Sequence, residues 1–141
     1  MSLMCREQIT GPAAWRGHAI EHDGSWALRL SPEAVSDLQS AVAAVQARGC
    51  VFPAFGAEDF AIGAELAALL ARVATELEDG RGFLLLRGLP LGDWTDEQVR
   101  IATYGLGLHL GRPVRQNPRG DLLGLVAHVG DATKKTTRVF E

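Results

Sequence analysis

Between Gly82 and Gly88 the chain runs Phe83-Leu84-Leu85-Leu86-Arg87, an apolar stretch too short for a helix and bounded by glycine on both sides. Successive strand residues point to opposite faces, so such a run predicts a strand covered on both of them. The flanking sequence supplies candidate covers. Leu66, Leu69, Leu70, Val73 and Leu77 recur at helical spacing and form the apolar stripe of a helix expected over about residues 61–78. Further upstream, Trp26-Ala27-Leu28-Arg29-Leu30 alternates as a half-buried strand does. Ser31-Pro32-Glu33 then opens another helix: Ser31 can accept a bond from a free N–H, and Pro32 stands where its missing N–H is not needed. Val35, Leu38, Val42 and Val45 make the apolar face of that helix, and Gly49 is its expected stop.

Downstream of the apolar run, Thr95 with Gln98 three residues on is a capping-box pattern. The helix it opens is expected to reach about Leu110, where Gly111-Arg112-Pro113 ends it. Leu122-Leu123-Gly124-Leu125-Val126 and Thr136–Glu141 are candidate strands, and residues 1–14 an irregular entry with a turn at Gly11-Pro12. The whole is expected to be α+β, a single domain over residues 1–141. Its sheet is small for the apolar surface on offer, and its last segment breaks off in strand-like alternation. This predicts the amino-terminal part of a longer domain, with an open edge at Val139-Phe140 suited to self-association.

Composition limits the function. Of the 141 residues 47% are apolar and 22% charged, enough for a packed core. Net charge is −3 with no basic block, which argues against a nucleic-acid partner. Cys5 and Cys50 form neither a disulfide framework nor a metal-spacing pattern, so a reducing, cytoplasmic compartment is expected. No basic start followed by an apolar run marks a signal peptide, and no stretch is apolar enough to predict a membrane span.

Few residue patterns carry chemistry. There is no Walker-type loop, no Gly-x-Ser-x-Gly elbow and no Cys-x-x-Cys. Gly105, Gly107 and Gly111 resemble a dinucleotide fingerprint loosely, but at the end of a helix; close helix packing explains them better. His18 and His22 are four apart, yet Gly17, Gly24 and Pro12 argue against a helix there, so an exposed loop pair is expected. His109 stands where a helix C-terminus favours positive charge. His128 is three before Asp131, one residue too far for the His-x-Asp or His-x-Glu of a facial triad; neither pattern occurs in the chain. Asp93, Asp96 and Glu97 suit a helix start, Trp15, Trp26 and Trp94 suit packing, and Lys134-Lys135 suits a surface turn. The loop from Gly111 to Asp121 is different, because it concentrates hydrogen-bonding groups between rigid elements. Gln116 and Asn117 are the candidate substrate-binding residues; turn chemistry at Asn117-Pro118 and Gly120-Asp121 is the competing reading.

The run Gly82–Pro90 resembles a signature strand of the taurine dioxygenase-like family, which includes clavaminate-synthase-like enzymes. The segment from Tyr104 through Val114, Gln116-Asn117, Gly120–Gly124, and the early Trp15 and Trp26-x-Leu28-x-Leu30 fit the same pattern in order. The resemblance implies a double-stranded β-helix (jelly roll) flanked by helices, here incomplete. It also implies Fe(II) and 2-oxoglutarate as cofactors in the full-length protein, O₂ as oxidant and a small polar molecule as substrate. Amino acids, betaines, small sulfonates and carboxylic acids all fit that description. The family's His-x-Asp or His-x-Glu pair would follow shortly after Glu141, with the distal His and the 2-oxoglutarate Arg further on. No metal or co-substrate ligand carries over to this chain, so by itself it is expected to hold no cofactor and to be inactive. From another class comes an alternative, a non-catalytic interaction module that pairs its edge strand with a partner. A metal site from His18, His22 and His128 is a third reading.

Overall fold

The computed structural model describes residues 7–126. The expected strand over Thr136–Glu141 with its open edge, and the residues Cys5, His128, Asp131, Lys134 and Lys135, lie outside the described residues.

The short strand β1, Ala27–Arg29, is followed by two long helices, α2 over Pro32–Ala47 and α3 over Ala64–Glu78. They carry the chain to β2, Leu85–Arg87, which pairs parallel with β1 in the register Leu28 to Leu86. A third long helix, α4, covers Asp96–Leu110. An additional single turn, α1, occupies Gly17–Ile20 ahead of β1, a helix the glycines there argued against; His18 on it and His22 after it are both exposed.

Local signals set most of these boundaries. Ser31 Oγ accepts the Ala34 N–H at 3.1 Å, and Gly49 turns the chain out of α2 at φ 70°. Thr95 and Gln98 form the reciprocal capping box at the head of α4. The start of α3 is set from elsewhere. Its N-cap, Gly63, has no side chain to offer, and Asp37 of α2 reaches across to accept the Leu66 N–H at 3.2 Å. A Cβ at Gly63 would collide with that carboxylate. The helix therefore begins at Ala64 instead of Ala61, where the carboxylate meets the free N–H groups.

The core lies where α2, α3 and α4 meet. Leu38, Val42, Val45, Phe60, Leu66 and Ile101 are its largest fully buried side chains. An aromatic group lines one side: Tyr104 stands edge-on to Phe52 and Phe55, with centroids 5.1 and 5.2 Å apart. Gly105 of α4 rests on the Phe60 ring so closely that a Cβ would overlap it, which confirms the packing explanation for this glycine. His109 Nε2 donates to the Phe60 carbonyl at 2.8 Å and fixes the end of α4 to the loop before α3.

Three expectations need correction. The apolar run is covered on one face only: Leu86 packs against the core while Leu85 is 40% exposed. Leu77, expected on the buried stripe of α3, is 41% exposed in the helix's last turn. Leu122–Val126 forms no strand. Leu122 and Leu123 pack against the core, but Leu125 and Val126 are 89% and 75% exposed, and no neighbouring strand among the described residues offers them backbone partners.

A smaller cluster anchors the entry segment. Arg81 Nη2 donates to Ser25 Oγ at 2.5 Å and to Asp23 Oδ2 at 3.4 Å, while its own carbonyl accepts from Trp15 Nε1 at 3.1 Å. Its Nη1 lies 3.4 Å from Glu76 Oε1 without hydrogen-bond geometry. Trp15 and Trp26 both pack on Phe83, as structural tryptophans do. No helix among the described residues is long and apolar enough to cross a membrane.

Candidate functional site

The last two turns of α4 and the loop that follows enclose an open cavity of about 310 Å³. Its wall on the helix side is Thr103, Tyr104, Gly107 and Leu108; on the loop side it is Arg112, Pro113, Val114 and Gln116, closed by Leu122 and Leu123. Apolar walls with a few polar groups are the usual make-up of a small-molecule pocket. Gly107 leaves the floor bare: a Cβ there would meet nothing within 4 Å.

The loop keeps its shape through its own hydrogen bonds. Asn117 opens a turn in which Pro118 follows and the Gly120 N–H returns to the Asn117 carbonyl at 2.9 Å, with Gly120 at φ 87°. The Asn117 amide then braces Asp121 twice, donating from Nδ2 to Oδ2 at 2.7 Å and accepting the Asp121 N–H at 3.2 Å. Across the base, the Gln116 N–H donates to the Asp121 carbonyl at 2.7 Å. Hence the two candidate binding residues occupy different positions. Gln116 lines the cavity and ties Nε2 to the Val114 carbonyl at 3.0 Å, which leaves Oε1 available. Asn117 does not line it and engages Asp121 instead.

The Asn117 bond, followed by the Arg119 guanidinium 3.2 Å away, holds the Asp121 carboxyl below its ordinary value of 3.8. A depressed carboxyl contributes stability above its unfolded value and loses it as pH falls through the folded one. Acidification below the usual carboxylate range is therefore expected to loosen this loop before the helices melt. NMR titration of the Asn117 side-chain amide checks this; an amide resonance unmoved until global unfolding would refute it.

Two groups at this site were given no binding role by sequence pattern. Arg112 lines the cavity beside Gln116; the sequence placed it in the polar loop and the family-like segment without giving it a role. Tyr104, buried against Phe52 and Phe55, is also among the walls of the cavity. Among the described residues no group of three or more His, Cys, Asp or Glu side chains converges to hold a metal ion. The described residues thus do not fit an iron centre, and His18 and His22 have no third ligand among them.

No protein-family model matches the chain. It is similar to FR-33289 synthase of Streptomyces rubellomurinus, with 26% identity over 144 aligned positions that take in all of this chain and 42% of that protein. The chain thus spans less than half the length of the relative it matches.

Proposed function

We propose that residues 1–141 are the amino-terminal, substrate-side part of a non-haem Fe(II)/2-oxoglutarate-dependent dioxygenase that oxidises a small polar molecule in the cytoplasm. The observation that carries the reading is the pocket at the end of α4. It is built by the segments Tyr104–Val114 and Gln116–Gly124, the same ones on which the resemblance to taurine dioxygenase-like enzymes rests. The alignment of the whole chain with part of a protein named a synthase supports an enzyme that extends beyond this stretch.

In this reading the iron, the 2-oxoglutarate and the remaining strands of a double-stranded β-helix belong to sequence beyond residue 141. Iron bound by two histidines and a carboxylate would supply the oxidising chemistry. What this stretch contributes is the placement of the substrate. Leu108, Leu122 and Leu123 exclude water from one side of it, and the free Gln116 Oε1 accepts a hydrogen bond from it.

The test is made on the full-length protein supplied with Fe(II), 2-oxoglutarate and O₂. Succinate formation that depends on a small polar substrate is expected, together with an open frame in which His-x-Asp or His-x-Glu follows soon after Glu141. In Gln116→Leu the substrate KM is expected to rise about tenfold, the scale of one lost hydrogen bond. A reading frame that lacks both a triad and substrate-dependent succinate would remove the proposal. The second reading, a module that pairs its edge strand at Val139-Phe140 with a partner, falls on residues outside the described ones.

A further inference from the structure

We propose that the groove between β1, the start of α2 and the outer side of α3 binds a compact oxyanion, a phosphate or dicarboxylate group, through Arg29 and Arg72. The groove has a volume of about 260 Å³ and is lined by Arg29, Ser31, Ala34, Glu65, Leu69 and Arg72 among others. It shares no lining residue with the cavity at the end of α4, so the inference does not depend on the dioxygenase reading.

The charge arrangement is the reason for it. Arg29 on β1 lies in direct register with Arg87 on β2, and both are exposed on the face opposite the buried Leu28. Like charges directly opposite in a sheet repel, so nothing in strand pairing itself favours two arginines there. Arg72 of α3 lines the same groove as Arg29, while Arg87 stands beside Arg29 outside the lining. Among the described residues none of the three has a carboxylate within ion-pair distance, as is also true of Arg16, Arg112 and Arg115, whereas Arg48, Arg81, Arg100 and Arg119 are each matched to one. Glu65 is the single acidic group in the lining; against Arg29 and Arg72 it leaves the groove net positive, and Arg87 beside Arg29 adds to that.

A guanidinium presents its donors as a planar fork that matches two oxygens of one oxyanion. Two such forks from different elements, facing one small groove, suit a group with three or four oxygens and a double charge. The Arg29 stem rests against the exit of β2, where its Cγ would stand 3.6 Å from a Cβ at Gly88 and the chain turns away at φ 91°.

The test is calorimetric titration of the full chain with inorganic phosphate, and separately with malonate, at constant ionic strength set by sodium chloride. Saturable binding of at least one of them is expected. Binding of phosphate over malonate points to a phosphorylated ligand, and the reverse to a dicarboxylate. R29Q and R72Q are each expected to weaken the binding about tenfold, while R100Q, at an exposed arginine away from the groove, leaves it unchanged. Should R29Q disturb the strand pair, R72Q, at an exposed position of α3, carries the test alone. No saturable heat with either anion overturns the inference, and so does a loss in R100Q equal to that in R72Q.

Discussion

Replacing Phe60 by alanine is expected to lower the stability of the fold by about 3–5 kcal/mol, a large share of the roughly 5–15 kcal/mol that holds a domain together. Phe60 is fully buried in the loop before α3, and the residues around it cannot close the gap. Gly105 abuts its ring from α4, Phe55 stacks with it at 6.3 Å, and the His109 ring stands 6.2 Å away. All three belong to elements fixed by other contacts, so the lost ring leaves a cavity. Urea titration followed by tryptophan fluorescence measures the effect. A midpoint within error of the wild type would mean that Phe60 is not the link between the loop and α4.

The second large effect is a contrast between two glycines on one helix. Alanine is favoured over glycine inside a helix by about 1 kcal/mol, so propensity alone predicts that Gly105→Ala and Gly107→Ala both stabilise. At Gly105 the new methyl would overlap the Phe60 ring, and overpacking of this kind costs about 1–3 kcal/mol. Sterics therefore win there, and Gly105→Ala is expected to destabilise. At Gly107 nothing lies within 4 Å, so the stabilising sign survives, at the expense of room in the cavity. Thermal melts of both variants test the signs. In a Phe60→Leu background the Gly105→Ala penalty is expected to shrink, because the two residues share one contact. Equal shifts for the two glycine variants would sink the account.

What could be read from sequence was what neighbours in the chain decide among themselves. Ser31-Pro32 and the Thr95/Gln98 box were legible because a cap and its partner lie within one helical turn. The head of α3 was not, since its cap is Asp37, brought there by the packing of another helix. Leu122–Val126 misled for a related reason: an apolar run signals surface to be buried, but only a neighbouring strand makes a strand of it. At the candidate site, the pattern pointed to the loop but could not divide its labour. Gln116 and Asn117 are adjacent and chemically alike, and only the closing of the turn onto Asp121 gives one to the cavity and the other to the loop. Arg81 could not be singled out, because Asp23 and Ser25 reach it from a distant part of the chain.

The pairing of β1 with β2 also bears on how the chain reaches its final state. All of α2 and α3 lies between the two strands, so the sheet cannot nucleate by itself as a hairpin does. Closing so long a loop loses entropy before any ladder bond is made, and non-local contacts of this kind slow folding. The helices are therefore expected to dock first and bring the strands within reach. Strand pairing is then expected to come late, and Arg81, whose bonds to Asp23 and Ser25 join the segment before β1 to the turn before β2, holds the paired state as a latch.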